Sequence, residues 1–366
     1  MHPGGKDKSY GDVQRRNTVF CDISKERILK IVENQVSKSC PQNTPFTVAE
    51  FGAADGSVSM ELMTDIIGVV RSNCGKDKEI LIMYEDHAGS DFNSLHRRLQ
   101  GILPNPRSYL LDHENVYVTS SATNFYQQCF PSNSVDLALS FVATHWLSKH
   151  VHLTDHVYHY FTHHQDEKTA IEKQAADDWL LFLKNRTKEL KQGGWGIFST
   201  MGARDNTTTM TTTYDTFIII NDIWKSFLSR GIITKDEFKR GTFALSLRNP
   251  HQLERPFHDS TELQNDGLKL YEIRVDTVPN FHVSDWKKQL EKGIDDNETF
   301  VRDFTKYTKT YSYSTFHAAL GAERDEEQKL QICELLFKEM HDLVLSKDPR
   351  EFDKDHIVTS AYVFKD

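Results

Sequence analysis

Residues 47–67, TVAEFGAADGSVSMELMTDII, open as a buried strand, turn through two glycines and resume with apolar residues at helical spacing. The tight turn Gly52-Ala53-Ala54-Asp55-Gly56 is expected to present free backbone N–H groups at a helix N-terminus, where an anionic or polar ligand group docks. A pyrophosphate-binding loop reads G-x-G-x-x-G, and its middle glycine lets the backbone approach the phosphates; here Ala54 stands at that place. The pyrophosphate reading weakens accordingly. What remains is Glu50, at the strand end two residues before the first glycine, a carboxylate suited to an ammonium group rather than to a phosphate. That preference points to S-adenosylmethionine, which carries an amino-acid end.

The chain has 366 residues, 38% of them hydrophobic, enough for one large domain or for a core with an elaborated second lobe. Lys and Arg number 44 against 53 Asp and Glu, a net charge of −9, so nothing in the bulk charge draws the protein to nucleic acid or to an anionic membrane. The opening stretch MHPGGKDKSYGD lacks the apolar run of a signal peptide, and no window approaches the ~20 apolar residues of a membrane span. No membrane partner is expected. Cys21, Cys40, Cys74, Cys129 and Cys333 are odd in number, scattered and without a C-x-x-C pair, which predicts neither a disulfide framework nor a zinc site and fits a reducing cytoplasmic setting. The N-x-T triplets at Asn185, Asn206 and Asn297 are then incidental.

Strand-like runs alternate with helical stretches through the first half: Phe46 to Phe51, Ile80 to Glu85, Val116 to Thr119, Val135 to Ser140, and Gly194 to Met201. Such alternation predicts a parallel sheet covered by helices. Asp177 to Gln192 has helical periodicity, and the Gly193-Gly194 pair is expected to end that helix before the strand WGIFSTMG. From Asp205 the composition turns mixed and polar, with a helix around Ile218 to Arg230 and interruptions at Pro250, Pro256 and Pro279. The tail returns to a long helix, Asp325 to Leu345, and a terminal strand, HIVTSAYVFK, whose alternation suits a sheet edge. The resulting division is an α/β core over 1–204 with a lid insertion over 149–176, a helical cap over 205–321, and a helix and strand over 322–366 that return to the core.

In an open α/β sheet the ligand lies beyond the carboxyl ends of the strands, so the residues just after each strand form one set. After the second strand come Glu85 and Asp86, where a carboxylate accepts both ribose hydroxyls of a nucleoside; a solvated acidic turn is the plain alternative. SSATNFYQQCFP follows the third strand and offers Asn124 and Phe125 to an adenine edge and face. SFVATHWLS follows the fourth and places His145 and Trp146 at the pocket mouth, with an ordinary buried aromatic and a wall histidine as their plain alternatives.

A series of segments in register along the chain resembles the SABATH family of S-adenosylmethionine-dependent carboxyl methyltransferases, named for enzymes that methylate salicylate, benzoate and theobromine. SYGDVQRRN keeps the family's Ser-Tyr pair as Ser9 and Tyr10, with Gln14 at the family's serine and Asn17 at its glutamine. The glycine turn spans Gly52 to Gly56; YEDHAGSDFN keeps Asp86, Gly89, Asp91, Phe92 and Asn93; TNFYQQCFP has Asn124 at a serine; HWLS is retained as His145 to Ser148; and FLKNRTKELKQGGWGIFSTMGAR leads into the fifth strand. The resemblance implies a Rossmann-like seven-strand class I methyltransferase core with a mostly helical cap, S-adenosyl-L-methionine as cofactor, S-adenosyl-L-homocysteine as its product, and a homodimer. It implies that Tyr10, Gln14, Glu50, Gly52 and Asp55 surround the methionine end, that Asp86 takes the ribose, and that Asn124 and Phe125 flank the adenine. Trp146 would donate its indole N–H to the carboxylate of a small, largely apolar acid, aided by Asn17, with His145 orienting the acceptor. Phe141, Val142, Phe217, Ile218 and Phe316 are expected to line the acceptor pocket. Two alternatives stay open: methylation of a nitrogen heterocycle, because the family includes both acceptors, and a catalytically silent cofactor-binding protein, because of the departures at Gln14, Thr123, Asn124 and Gln128.

Residues 148–167, SKHVHLTDHVYHYFTHHQDE, hold six of the 17 histidines. On a helix His152, His156, His159 and His163 would share a face suited to zinc. The glutamate of H-E-x-x-H is absent and aromatic residues interleave, so a pocket lid without metal is expected.

Overall fold

The computed structural model describes residues 15–203 and 212–366. Tyr10, Gln14 and most of the threonine cluster at 207–213 lie outside the described residues. A seven-stranded sheet has the order β3-β2-β1-β4-β5-β7-β6. Strands β1 (Phe46–Phe51), β2 (Ile80–Asp86), β3 (Val116–Ala122), β4 (Val135–Phe141) and β5 (Leu190–Met201) run parallel, and β7 (His356–Lys365) and β6 (Leu268–Val278) add an antiparallel flank. FTVAEF and ILIMYED are apolar on both faces because helices cover both sides, whereas VYVTSSA at the edge alternates.

Helices α1 (Thr18–Lys38) and α2 (Met60–Cys74) cover one face of the sheet. Met60, Met63, Ile66, Ile67 and Val70 form the stripe that α2 buries, and Gly75, with φ +99°, ends it. The other face packs on α4 (Gln165–Glu189) through Trp179, Phe182 and Leu183. A separate apolar cluster forms the cap, where α5 (Thr212–Ser229), α10 (Asn297–Ala319) and α11 (Glu326–Leu345) meet around Trp224, Phe243, Phe316 and Leu336. No helix among the described residues is long and apolar enough to cross a membrane.

Several sequence expectations are corrected. The terminal strand is not an edge: β7 lies between β5 and β6, and its first eight residues are buried. The edge on that side is β6, LKLYEIRVDTV, whose interspersed Lys269, Glu272, Arg274 and Asp276 made it read as a polar segment. Helix α4 starts at Gln165, ahead of Asp177, and Leu190 already begins β5; Gly193, with φ +78°, sits in an irregularity of that strand rather than at a helix end. Cys40 and Cys74 form a disulfide across 34 residues, with a Cα–Cα distance of 5.9 Å, joining the segment after α1 to the end of α2.

Candidate active site

The glycine turn leaves β1 and enters α2 at the carboxyl end of the parallel strands, between the ends of β2 and β4. Gly52 has φ +75°, and a Cβ there would lie 2.4 Å from the Ala143 Cβ, so neither the backbone nor the space admits a side chain. Ala54 also adopts positive φ, +51°, a conformation that costs an L-residue about 1 kcal/mol. The amides of this turn are not free, contrary to the sequence expectation. Gly52 and Ala53 N–H donate to the Glu85 carbonyl at 2.9 and 3.0 Å, Ala54 N–H to Asp86 Oδ2 at 2.7 Å, and Gly56 N–H to the Ala53 carbonyl at 2.9 Å. A phosphate would meet spent donors here, which completes the exclusion begun by Ala54.

Carboxylates rather than amides are what this turn concentrates. Glu50 is 3% exposed and accepts a 2.5 Å hydrogen bond from Ser59 Oγ at the start of α2. Burial, opposed by that hydrogen bond and reinforced by Asp86, pushes its pKa up to about 8. Glu85, beneath the turn, is likewise pushed up to about 8 by burial and by Asp86 against the pull of Arg186. Asp86 uses both oxygens locally, taking Ala54 N–H on one and His87 N–H and the Ser90 hydroxyl on the other. Asp55 turns to Arg98, whose guanidinium lies 2.8 Å from its Oδ2 with both side chains buried. Its carboxylate therefore fastens the turn to α3 (Phe92–Leu99).

The two raised carboxyls have a signed consequence for stability. Each stays protonated in the fold up to about pH 8 but ionises near 4.5 when unfolded, so its contribution is full below pH 4.5 and is lost as pH rises to 8. Glu50→Gln should therefore melt higher than wild type at pH 8.5, by the equivalent of on the order of 2 kcal/mol, and match it at pH 4.5. Differential scanning fluorimetry of the ligand-free proteins at the two pH values reads this directly.

Asn124 Oδ1 accepts from Tyr126 N–H at 2.9 Å, closing the turn that presents Phe125. Phe125 reaches toward Gly52, its Cε1 lying 3.9 Å from where a Cβ would be. This loop is held from behind by residues that sequence reasoning missed. Arg186 donates to the Phe125 and Gln127 carbonyls at 2.7 and 2.9 Å, and Glu189 accepts from the Cys129 and Phe130 amides at 2.5 and 3.1 Å. The signal was an i,i+3 Arg/Glu pair on the buried stripe of α4.

Asn17, His145 and Trp146, named from separate motifs, come together around one cavity of about 110 Å³ between the sheet and the cap. Of the expected lining, Val142 and Phe217 are there; Phe141 packs under the sheet, and Phe316 lies in the cap core. The wall is less apolar than expected, since His282, Tyr307 and His356 complete it. Asn17 Oδ1 accepts from Tyr307 OH at 2.9 Å, which makes nitrogen the donor side of its amide. Trp146 is anchored through its backbone: Tyr126 OH donates to its carbonyl at 2.5 Å. Its indole N–H makes no hydrogen bond among the described residues. His145 is 8% exposed, and burial, aided by the Arg248 charge, drives its pKa down to about 3. It is neutral at every physiological pH and a weak base. Val142, at the cavity edge, has φ +47°, a strained conformation for a β-branched residue where β4 ends. A wider groove of about 1550 Å³ opens at the amino ends of β1 and β4, on the side of the sheet away from all of these groups, and takes no part in this site.

The histidine-rich segment is irregular over 148–164, not helical, so the four histidines do not share a face. Asp155, His156 and His163 instead bring potential ligand atoms within 4.8 Å of one another. Lys225 donates to His156 Nε2 at 2.9 Å, placing an ammonium where it would oppose a bound cation. Thr162 Oγ1 and His163 N–H donate to Asp155 at 2.7 and 3.1 Å.

A glycine turn between buried carboxylates, at the carboxyl end of the first strand of a mixed seven-strand sheet, belongs to an S-adenosylmethionine-dependent methyltransferase. The residues fit that cofactor: the Gly52 turn lies at the carboxyl end of β1 beside the Phe125 ring, and Glu50 supplies a buried carboxyl next to it. A family model described as SAM dependent carboxyl methyltransferase matches residues 1–359, and the chain is a member of that family. It is 24% identical to a probable 7-methylxanthine methyltransferase 5 of Theobroma cacao over 270 residues, 69% of this chain and 72% of the relative. It is 21% identical to anthranilate O-methyltransferase 3 of Zea mays over 269 residues, 67% of this chain and 70% of that one. The fold matches a loganic acid methyltransferase structure with S-adenosylhomocysteine at a TM-score of 0.74 and 20% identity, covering 99% of this chain and 98% of that one.

Proposed function

We propose that the protein methylates the carboxylate of a small acid, giving a methyl ester. The observation that carries this reading is the set of side chains the cavity brings together: Trp146 and Asn17 place amide and indole N–H groups on its wall, while burial drives the pKa of the adjacent His145 down to about 3 and keeps it neutral. A carboxylic acid of pKa about 4 to 5 is already ionised at neutral pH and needs no base. A nitrogen heterocycle that must lose a proton would need one, and His145 is a poor acceptor for it.

When bound, S-adenosylmethionine supplies the methyl group, which the carboxylate oxygen takes up as the carbon–sulfur bond pair returns to sulfur, so no proton moves. The chain's task is alignment and exclusion of water. In this proposal Glu50 faces the ammonium of the methionine end, the Gly52 turn supports the chain of the ligand, Asp86 takes the ribose, and Asn124 and Phe125 flank the adenine. Trp146 and Asn17 hold the acceptor carboxylate, and His145 orients it as a neutral donor. The homodimer that the family resemblance implies is part of the same proposal, and light scattering at micromolar concentration tests it.

Methyl transfer from labelled S-adenosylmethionine to parallel panels of carboxylic acids and nitrogen heterocycles tests the reading, with calorimetric S-adenosylhomocysteine binding alongside. Labelled ester from acids alone is the expected result. Labelled heterocycles alone would establish the nitrogen reading, and cofactor binding without any turnover the silent one.

A further inference from the structure

The loop that carries Trp146 lies outside the helices and strands, and buried carbonyls in such a segment must find their donors elsewhere. Three consecutive carbonyls of this loop do so in three different places. Arg248 Nη1 donates to the Thr144 carbonyl, Ser246 N–H to that of His145 at 2.9 Å, and Tyr126 OH to that of Trp146 at 2.5 Å. Just beyond, Leu147 N–H donates to the Ala244 carbonyl at 2.7 Å, and Ser148 gives its N–H and its hydroxyl to Asp178 at 2.8 and 2.6 Å. The main chain around Trp146 is thus held from outside itself, by the turn after β3, by the stretch 244–248 and by α4.

Arg248 is the centre of this arrangement. It is 1% exposed; while Nη1 holds Thr144, Nη2 donates to the Ala175 carbonyl on α4 at 3.0 Å, and the guanidinium lies 5.9 Å from the Trp179 ring centroid. Its own carbonyl accepts from Ala203 N–H at 3.2 Å, just past β5. A planar guanidinium reaches two carbonyls of separate elements in one fixed geometry, which a lysine ammonium on its flexible stem does not. Ala175 and Asp178 are neighbours on one turn of α4, so a single stretch of a rigid helix holds the loop both at Thr144, through Arg248, and at Ser148. Between these two points Tyr126 fixes Trp146 itself. Neither Arg248 nor Tyr126 lines the cavity, so what either does for the reaction it does through the loop.

We propose that Arg248 and Tyr126 are positioning residues for methyl transfer: they fix the main chain from Thr144 to Trp146 and so set where the indole N–H meets the acceptor. This rests on the reading in which Trp146 holds the acceptor carboxylate, and it adds two residues that touch neither substrate nor cofactor.

Tyr126→Phe removes one hydroxyl, and Arg248→Lys keeps the charge while losing the fork. Each should lower kcat/KM for the acid acceptor by about 5- to 30-fold, because a shift of about 1 Å in an aligning group costs up to ~100-fold. S-adenosylhomocysteine affinity, read by calorimetry, should stay within about twofold, since Arg186 and the Asn124 turn hold Phe125 independently, and it certifies that each variant is folded. The double variant separates positioning from plain stabilisation. A residue that acts only through Trp146 has nothing left to position once the indole N–H is gone, so adding Tyr126→Phe to Trp146→Phe should change kcat/KM by less than about twofold. Losses that multiply in the double variant would overturn the inference, and so would wild-type kcat/KM in both Tyr126→Phe and Arg248→Lys. Trp146→Phe that turns over the acid as well as wild type, or wild-type enzyme that binds cofactor and turns over no acid, would instead remove the reading beneath it.

Discussion

Arg186→Ala should destabilise the protein by about 3–5 kcal/mol, the cost of stranding a buried charge. Arg186 and Glu189 are 0% and 1% exposed at the side chain, with the guanidinium 2.7 Å from the carboxylate. Removing the arginine leaves the buried Glu189 side chain with only the Cys129 and Phe130 amides as partners, and it takes a cation away from the face of Phe51, 3.9 Å from the ring centroid. It also releases the carbonyls of Phe125 and Gln127, so affinity for S-adenosylhomocysteine should fall together with stability. Urea denaturation followed by tryptophan fluorescence gives the first number, calorimetry the second. Arg186→Met combined with Glu189→Leu should recover most of the stability but not the affinity, because it removes the stranded charge without restoring the loop anchor. Equal loss in the single and double variants would show that the pair acts through packing alone.

Trp146→Phe should lower kcat/KM for the acid acceptor by about 30- to 150-fold, corresponding to the ~2–3 kcal/mol of one hydrogen bond to a charged group. Phenylalanine preserves the packing against the cap cluster, and the bond from Tyr126 OH goes to the backbone carbonyl, which every residue supplies. Cofactor affinity should therefore stay within about twofold, since the Gly52 turn lies in a different part of the site. A parallel drop in S-adenosylhomocysteine binding would make Trp146 a structural residue of the pocket.

These expectations rest on parts of the molecule that differ in how openly the sequence declares them. β1, β2 and β4 were legible because burial on both faces forces continuous apolar runs, as in Phe46–Phe51. The glycine turn was legible because Gly52 sits where no Cβ fits. The state of its amides was not: Glu85 and Asp86 reach them across a strand pair, and sequence spacing carries no trace of that. β6 was hidden because an edge strand protects itself with charged residues and so resembles a loop, and the loss of β6 in turn made β7 look like the edge. The histidines at 152, 156, 159 and 163 have helical spacing, yet the segment packs into the cap through Val157 and Tyr158 without forming a helix, which shows that periodicity in a polar stretch is weak evidence. His145 and Trp146 were found from their place after the fourth strand and Asn17 through resemblance to a family motif, and the cavity joins them. His282 and His356 belong to none of the motifs, and only the tertiary packing of α9 (Phe281–Leu290) and β7 brings them to the acceptor wall. The substrate-facing part of this enzyme is thus the part least written in local sequence, because it is assembled from side chains far apart along the chain.

The most direct test of the central claim is the alkali lability of the labelled product. The enzyme is incubated with labelled S-adenosylmethionine and the acid panel, the product is treated with mild base, and volatile label is counted. Methyl transfer to a carboxylate predicts release of the label as methanol, because an ester saponifies. Label that stays with the product through base would place the methyl on nitrogen or on an ether oxygen and would contradict the account.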